Sequence, residues 1–259
     1  EATYAIEAMM YDGVALQSAT SHYFGQGFAK AFDIKFLNKD NKYETPYQTS
    51  WGCTTRMIGE VIMVHGDDRG LVLPPRIAPF KVVLIPIGDD EKVTNAVNEI
   101  KEDLSDSLKS PGFKFAEAEV KGYPVRIEVG KRDLENGVVT IVRRDTLEKM
   151  QVAVNEAAMK VNELLINIQN DMYERALERR NSMVYNADTY DEMKEIAKNK
   201  NGFIYTNWCG SKDCENKIKD ELGLKSRCMP FDNNLPTGDK KCICCGKDAK
   251  TKIYWAKQY

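Results

Sequence analysis

Six of the seven cysteines fall after residue 184, and four of them stand in short-range pairs. Cys209 and Cys214 are separated by four residues, and Cys242 and Cys245 form a C-x-x-C followed by Gly246 and Lys247. An odd cysteine count in such close spacings suits metal ligation in a reducing compartment better than a disulfide framework. Residues 185–259 are rich in lysine, poor in apolar runs and broken into short elements. Their core is therefore thin, and a metal staple is the natural way to hold them. Two such pairs converging in space make the closed tetrahedral thiolate site of structural Zn2+, and the glycine after the second pair suits a tight knuckle. Four thiolates leave no open position for substrate or water. Cys244 can stand in for Cys242 or Cys245. Cys228 is a reserve ligand that reads better as core, and free thiols are the plain alternative. Cys53, far off in sequence, is expected to be buried against the helix that follows it.

The chain has 259 residues, enough for one or two domains with sizeable cores. Its hydrophobic share of 42% and charged share of 29% are those of a soluble globular protein. No run of about 18 apolar residues is present to cross a membrane. The opening EATYAIEAMMYDG has neither the basic nor the apolar region of a secretion signal. A cytoplasmic location follows as the expectation. The net charge of -2 argues against bulk electrostatic capture of nucleic acid and leaves only local patches for it.

Three regions are expected: 1–77, 78–184 and 185–259. Residues 1–45 read as strand, loop, helix, strand, with TSHYFGQGF in the loop, Phe24, Phe28 and Phe32 as a helical core stripe, and FDIKFL as the closing strand. Residues 46–77 read as a buried strand, a helix with Thr54 or Thr55 as N-cap, the loop HGDDRG and the extended linker PPRIAP. Ile58, Val61, Ile62 and His65 lie on one face of that helix, which makes His65 a core or cap histidine. Residues 80–184 read as an α/β unit. FKVVLIPIG is a buried strand, and Val93, Val97, Ile100, Leu104 and Leu108 mark an amphipathic helix. FAEAEV, YPVRIEVG and VVTIVRR are strands, ENG is a hairpin turn, and a long helix runs from about Thr146 to about Met183. That order predicts a mixed sheet covered by helices.

The stretch from Tyr47 to Pro79 carries the chemistry. A strand runs into Gly52, then into threonines, then into Arg56 at the head of the apolar helix. A guanidinium costs several kcal/mol to desolvate unless an anion or a π-face receives it. Gly52 has no Cβ, so a flat group can approach its backbone. Together they suggest a nucleotide cradle. Trp51 offers a rigid apolar wall. His22 taken alone is as well explained as a loop histidine bonding to the backbone.

This stretch resembles motif 3 of class II aminoacyl-tRNA synthetases, in the form found in prolyl-tRNA synthetases of the eukaryotic and archaeal type. TSHYFGQGF at 20–28 resembles that family's proline-site loop, and KGYPVRIEVGKRDLENGVVTIVRRDT at 121–146 resembles its anticodon-binding domain. The terminal cysteines and Tyr259 fit its zinc-bearing appendage. The resemblance covers nearly the whole chain in order. It implies α/β and α+β architecture in several domains: part of an antiparallel catalytic sheet over 1–77, a mixed-sheet anticodon-binding domain over 78–184 and a small zinc-bearing domain over 185–259. It implies ATP-dependent activation of L-proline, with Mg2+, and transfer to tRNA(Pro). Arg56 would contact ATP, with Gln17, Thr20, Gly52 and Thr54 around the nucleotide. Ser21, His22, Ser50 and Trp51 would form the proline site. Tyr259 would tuck its carboxylate toward that site, a frayed terminus being the alternative.

The same family carries a dimer-forming motif 1 and a motif 2 with a second catalytic arginine, and neither is found in these residues. The chain is therefore expected to be part of a longer enzyme, a homodimer, and alone unable to activate proline. A multi-synthetase complex is a further assembly the resemblance allows. In the anticodon block, Arg126, Glu128, Lys131 and Asp133 would meet tRNA, cations on phosphates and carboxylates on guanine edges. The family places proline where this chain has Lys131, and a surface salt-bridge network is the plain alternative for each charge. Arg143, Arg144 and the ERALERR run read as solvated. The competing reading of the whole is a synthetase-derived tRNA-binding module without catalysis.

Overall fold

A computed structural model describes residues 2–104, 108–109, 115–231 and 240–259. In chain order the elements are β1 (Ala2–Met9), β2 (Ala15–Gly25), α1 (Gly27–Ala31), β3 (Phe36–Leu37), β4 (Tyr43–Glu44), β5 (Gln48–Cys53) and α2 (Arg56–His65). There follow β6 (Val82–Ile87), α3 (Glu91–Asp103), β7 (Leu108–Lys109), α4 (Phe115–Lys121), β8 (Val125–Gly130), α5 (Lys131–Glu135), β9 (Val138–Arg143), β10 (Lys149–Ala153) and α6 (Ala157–Ser182). The last are β11 (Val184–Asn186), α7 (Tyr190–Asn199), β12 (Phe203–Trp208), α8 (Lys212–Leu222), β13 (Lys225–Ser226) and β14 (Thr251–Ala256). They form two compact units, one of residues 1–60 with 180–259, the other of residues 61–179.

The first unit holds an antiparallel sheet β1-β2-β5 and a mixed sheet β11-β12-β14-β13. Met9, Ala15, Phe203 and Ala256 pack together, so the β1–β2 hairpin and the C-terminal strands share a core. The backbone N–H of Ala15 donates to Lys257 and that of Tyr259 donates to Ala15, and Arg227 grips Glu7 with both oxygens at 2.6–2.7 Å. Gly13 turns the hairpin at φ +75°, and a Cβ there would lie 2.4 Å from that of Asn201. The terminal Tyr259 hydroxyl donates to the Asp12 carboxylate.

Several expectations change here. TSHYFGQGF is not a loop: residues 20–25 continue β2, because β1 and β5 pair with it on both sides. FDIKFL shrinks to Phe36–Leu37, since Asp33 turns the chain at φ +51°. The Phe24, Phe28 and Phe32 rings do meet in a row, edge to face between Phe24 and Phe28 and stacked between Phe28 and Phe32, yet Phe32 is 73% exposed and the stripe is no core. Strand β5 is likewise exposed, Cys53 included, and α2 buries no residue fully. The apolar period is real on these elements, but no layer among the described residues covers that face.

The second unit is a five-stranded mixed sheet, β10-β9-β8-β6-β7, with β6 parallel to β7 and β8 and the other pairs antiparallel. Val82, Leu84, Val125, Ile127, Val129 and Ile141 on one sheet face meet Val93, Val97 and Ile100 of α3 and Val161, Leu164 and Ile168 of α6. FAEAEV is helix α4, as its alanines and glutamates favour. Helix α3 stops at Asp103 with Leu104 as its C-cap, so Leu108 belongs to a strand instead. ENG ends the short helix α5 rather than making a two-residue hairpin. The long helix starts at Ala157, because Lys149–Ala153 returns as β10 after a turn with Leu147 at φ +61°. PPRIAP folds into a turn, with Ile77 and Ala78 N–H groups on the Pro74 carbonyl.

Arg143 and Arg144 are buried, not solvated. Arg144 clasps Asp67 with two bonds of 2.6 and 2.7 Å. Arg143 clasps Asp145 at 2.9 and 3.0 Å and reaches Asp171 at 2.6 Å, while Arg175 adds a second cation on Asp145 at 2.7 Å. Burial alone would raise the Asp145 carboxyl, but the bonds from Arg143 and Arg175 outweigh it and hold it below the usual range. A depressed folded value stabilises the fold above the unfolded value of about 3.9 and loses that contribution as pH falls through the folded one. Asp145→Asn is therefore expected to cost about 3 kcal/mol at neutral pH, the low end for breaking a buried ion pair. Urea melts across pH should show the gap between wild type and variant closing in acid.

Candidate functional site

The register of β2 against β5 brings together residues far apart in sequence. Thr20 stands opposite Gly52, Ser21 opposite Trp51 and His22 opposite Ser50. Opposed residues of an antiparallel pair share a face, and alternate residues change face. Thr20, His22, Ser50 and Gly52 thus line one face of the sheet, and Ser21 and Trp51 the other. The expected proline set is split between the two. His22 Nδ1 lies 2.9 Å from the Thr3 hydroxyl, and its ring stacks on Phe24 at 5.2 Å. Trp51 is 74% exposed.

Arg56 opens α2 and reaches back to β2, its Nη1–H donating to the Gln17 carbonyl at 3.0 Å. Its own backbone N–H donates to the Thr54 hydroxyl at 3.3 Å, which makes Thr54 rather than Thr55 the capping side chain. The guanidinium is exposed and, among the described residues, no carboxylate is recorded against it. A Cβ added to Gly52 would meet nothing within 4 Å, so the floor beside it is open. Ser18, buried one residue along from Gln17, donates to the Glu60 carboxylate and ties β2 to α2. Sequence reading did not single out Ser18, Glu60 or Thr3; only strand pairing shows them. His65 ends the helix, and burial with the charges of Arg179 and Arg175 pushes it down to about 4, so it is neutral at pH 7.

The four residues expected to meet the anticodon divide differently. Arg126 and Glu128, on one face of β8, are buried and bond to each other at 3.0 Å. Arg126 also reaches Glu119 at 3.1 Å and lies over Phe115, and Glu128 receives Lys149 at 3.3 Å. Lys131 and Asp133 sit on α5, where Lys131 pairs with Asp90 at 2.9 Å and Asp133 accepts from Thr140 at 3.3 Å.

The cysteines converge. Cys209 follows β12, Cys214 lies on α8, and Cys242 and Cys245 belong to a knuckle turned by Gly246 at φ +69°. The four sulfurs lie within 4.8 Å of one another, with Cys209 3.6 Å from Cys214 and 3.7 Å from Cys245. These are far from the 2.05 Å of a disulfide. They match the edge of about 3.8 Å that a tetrahedron with Zn–S bonds of 2.3 Å would have. The residues thus fit a metal of that kind. Cys244 stays outside the group, and Cys228 is half-buried elsewhere. The Lys247 backbone N–H draws the Cys245 thiol down to about 7, whereas burial pushes Cys214 and Cys242 up. Lys241, Lys247 and Lys250 border the same place, with Asp248 paired to Lys241 at 2.6 Å.

Residues 190–259 match the family described as "Prolyl-tRNA synthetase, C-terminal", and residues 81–164 match "Anticodon binding domain". Relatives named proline--tRNA ligase from Lachnospira eligens and Clostridium novyi are each 51% identical over 100% of this chain. The chain belongs to the prolyl-tRNA synthetase family. A protein named proline--tRNA ligase 2 from Bacillus cereus is 46% identical, again over 100% of the chain. The chain spans 56% of the length of each of these relatives. All three are bacterial, so the eukaryotic and archaeal label attached to the motifs is not carried over. The "Anticodon binding domain" match falls on the five-stranded sheet, and the "Prolyl-tRNA synthetase, C-terminal" match holds the four cysteines. Among the described residues no helix is long and apolar enough to cross a membrane.

Proposed function

We propose that this chain is the C-terminal part of a proline–tRNA ligase, which activates L-proline with ATP and passes it to tRNA(Pro). The match over the whole chain to relatives of that name carries the reading. It also weighs against a tRNA-binding module without catalysis. Two local features support it: the β2–β5 register sets Thr20 opposite Gly52 beside open space, and Arg56 donates to the Gln17 carbonyl of the same strand β2.

Activation gathers negative charge on phosphate oxygens, so the work of the protein is positioning and cationic stabilisation. Arg56 is the group for that charge, with Thr20, Thr54 and Gln17 around the nucleotide. Mg2+ accompanies the ATP. His22 and Ser50 on the same face would receive the imino acid, while Ser21 and Trp51 on the far face would support the strand pair instead. Zn2+, held by Cys209, Cys214, Cys242 and Cys245, would be structural. Lys241, Lys247 and Lys250 would offset the charge of a tetrathiolate site. The exposed faces of β5 and α2 are where the rest of a catalytic domain would pack. Lys131 and Asp133 remain the anticodon contacts, whereas Arg126 and Glu128 would act by bracing β8. The three-way division of the chain, a cytoplasmic location, a homodimer and assembly with other synthetases belong to the same proposal.

The intact protein should show proline-dependent ATP–pyrophosphate exchange. Arg56→Ala should lower it about 10²- to 10³-fold, the cost of losing one charge-stabilising donor. Tight tRNA binding without exchange for any amino acid would leave only the binding module.

A further inference from the structure

The 61–179 unit treats its cations unevenly. Arg126, Arg143 and Arg144 are buried and each is held by a carboxylate. Arg69, Lys121, Lys131, Lys149 and Arg175 also have one. Arg76 and Lys81 are exposed with no carboxylate among the described residues in an ion pair with either, as are Lys92, Lys101 and Arg132, but only Arg76 and Lys81 of these come together in one concavity. They border the same groove, a concavity of about 300 Å³ whose other polar lining is Asn162, Gln169 and Asn170, with Ile166 as the exposed apolar surface. No acidic side chain lines it.

The groove follows from the helix period. Residues 161, 164, 168 and 172 of α6 face the sheet. The adjoining stripe at 162, 166, 169 and 170 turns aside from that core and meets the Pro74–Lys81 turn. Gln169 fixes the wall, its side-chain oxygen accepting the Arg76 backbone N–H at 3.0 Å. That bond orients the amide and leaves its NH2 free to donate. The groove therefore offers two cations without counter-ions, three side-chain amides and an apolar patch. Cations meet phosphates, amides meet base edges and ribose hydroxyls, and an apolar side chain meets a base face.

We propose that this groove binds the phosphate backbone of an RNA strand with one base against Ile166. It is a contact surface separate from α5, where Lys131 and Asp133 sit. The proposal rests on the reading of the chain as a tRNA-handling protein. It also answers a finding above: Arg126 and Glu128 are spent on each other, so RNA affinity must draw on other cations.

The test is fluorescence anisotropy of labelled tRNA(Pro) with the full chain across a salt series. The double variant Arg76→Gln with Lys81→Gln should weaken binding about tenfold near 0.1 M salt. The slope of log affinity against log salt should fall by roughly 1.4–1.8, the share of two phosphate contacts. Arg76→Lys with Lys81→Arg should keep affinity within about twofold, and Lys92→Gln with Lys101→Gln should leave the slope unchanged. Circular dichroism melts would confirm that each variant folds. Tight wild-type binding with an unaltered slope in the double glutamine variant would overturn the groove and leave the family reading intact. Failure of the wild type to bind any tRNA would overturn both. An acidic peptide that binds wild type but not the variant, with equal RNA binding by the two, would assign the groove to a protein partner.

Discussion

Cys242→Ser should remove stoichiometric zinc from this protein and unfold the sheet that carries the cysteines. Elemental analysis of the wild type is expected to give one zinc per chain, and of the variant less than about a tenth of that. The four sulfurs are already placed for a tetrahedral ion, which would cross-link β12, α8 and the knuckle beside the core of Ile204, Ile218, Ile243 and Trp255. Cys209 sits at the exit of β12, Cys214 on α8, and the remaining pair on a knuckle stitched by Cys242 N–H to Lys247 carbonyl and Gly246 N–H to Cys242 carbonyl. Binding energies of structural zinc run to about 10–16 kcal/mol, which is more than the stability of most domains. Losing one thiolate of four should thus register as lost far-ultraviolet ellipticity as well as lost metal. Cys244→Ser is the control, because Cys244 lies outside the sulfur group and should keep its zinc. The opposite pattern, with Cys244 needed and Cys242 dispensable, would show that the knuckle presents a different pair.

Arg227→Ala should lower the stability of the unit built from residues 1–60 and 180–259 by about 3–5 kcal/mol. The Arg227 and Glu7 side chains are 6% and 3% exposed and bond through Nε and Nη2 at 2.6–3.1 Å. Removing the arginine leaves a carboxylate inside the fold with no cation to receive it. Removing both partners is a smaller loss, because the orphaned charge goes as well. Urea denaturation of Arg227→Ala, Glu7→Leu and the double variant would separate these. If the double variant falls by the sum of the singles, the two side chains are not coupled and the argument fails. The loss should also reach catalysis of the intact protein. Glu7 lies opposite Gln17 on β2, so loosening β1 loosens the strand on which Arg56 closes.

Local signals were legible and long-range ones were not. Cysteine spacing is local and marked both pairs, but it left Cys244 open as a stand-in for Cys242 or Cys245, and only the converging sulfurs set Cys244 apart. The run from β5 through Gly52 to Arg56 was equally plain, since a strand, a glycine and a helix start leave short-range marks. That Gly52 stands opposite Thr20, or that Ser18 bonds to Glu60, depends on strand pairing that no local pattern encodes. Phe24, Phe28 and Phe32 show the limit of periodicity, which marks a common face but not what covers it. FAEAEV alternates like a strand, yet its residues are strong helix formers, and the helix won. Arg144 looked solvated because its carboxylate, Asp67, is 77 residues away, and Arg143 because its neighbour Asp145 gave no sign of the burial that Asp171, 28 residues on, completes. The resemblance to a known family supplied site roles that residue types alone left open.

The division of the chain also orders its assembly. Residues 61–179 are continuous, whereas the other unit takes its first part from 1–60 and its second from 180–259. On a ribosome the continuous unit can close as soon as α6 emerges. The early hairpin cannot, because Ala15 pairs with Lys257 and Tyr259, and Glu7 waits for Arg227. At 5–20 residues per second the intervening synthesis lasts roughly 4–16 s. Throughout that interval β1 and β2 expose Met9, Ala15 and the Glu7 carboxylate without their final neighbours. The hairpin that precedes Arg56 is thus translated before the continuous unit and completed after it, and its unpaired edge is a point at which a nascent chain of this kind is open to chaperones or to misassembly.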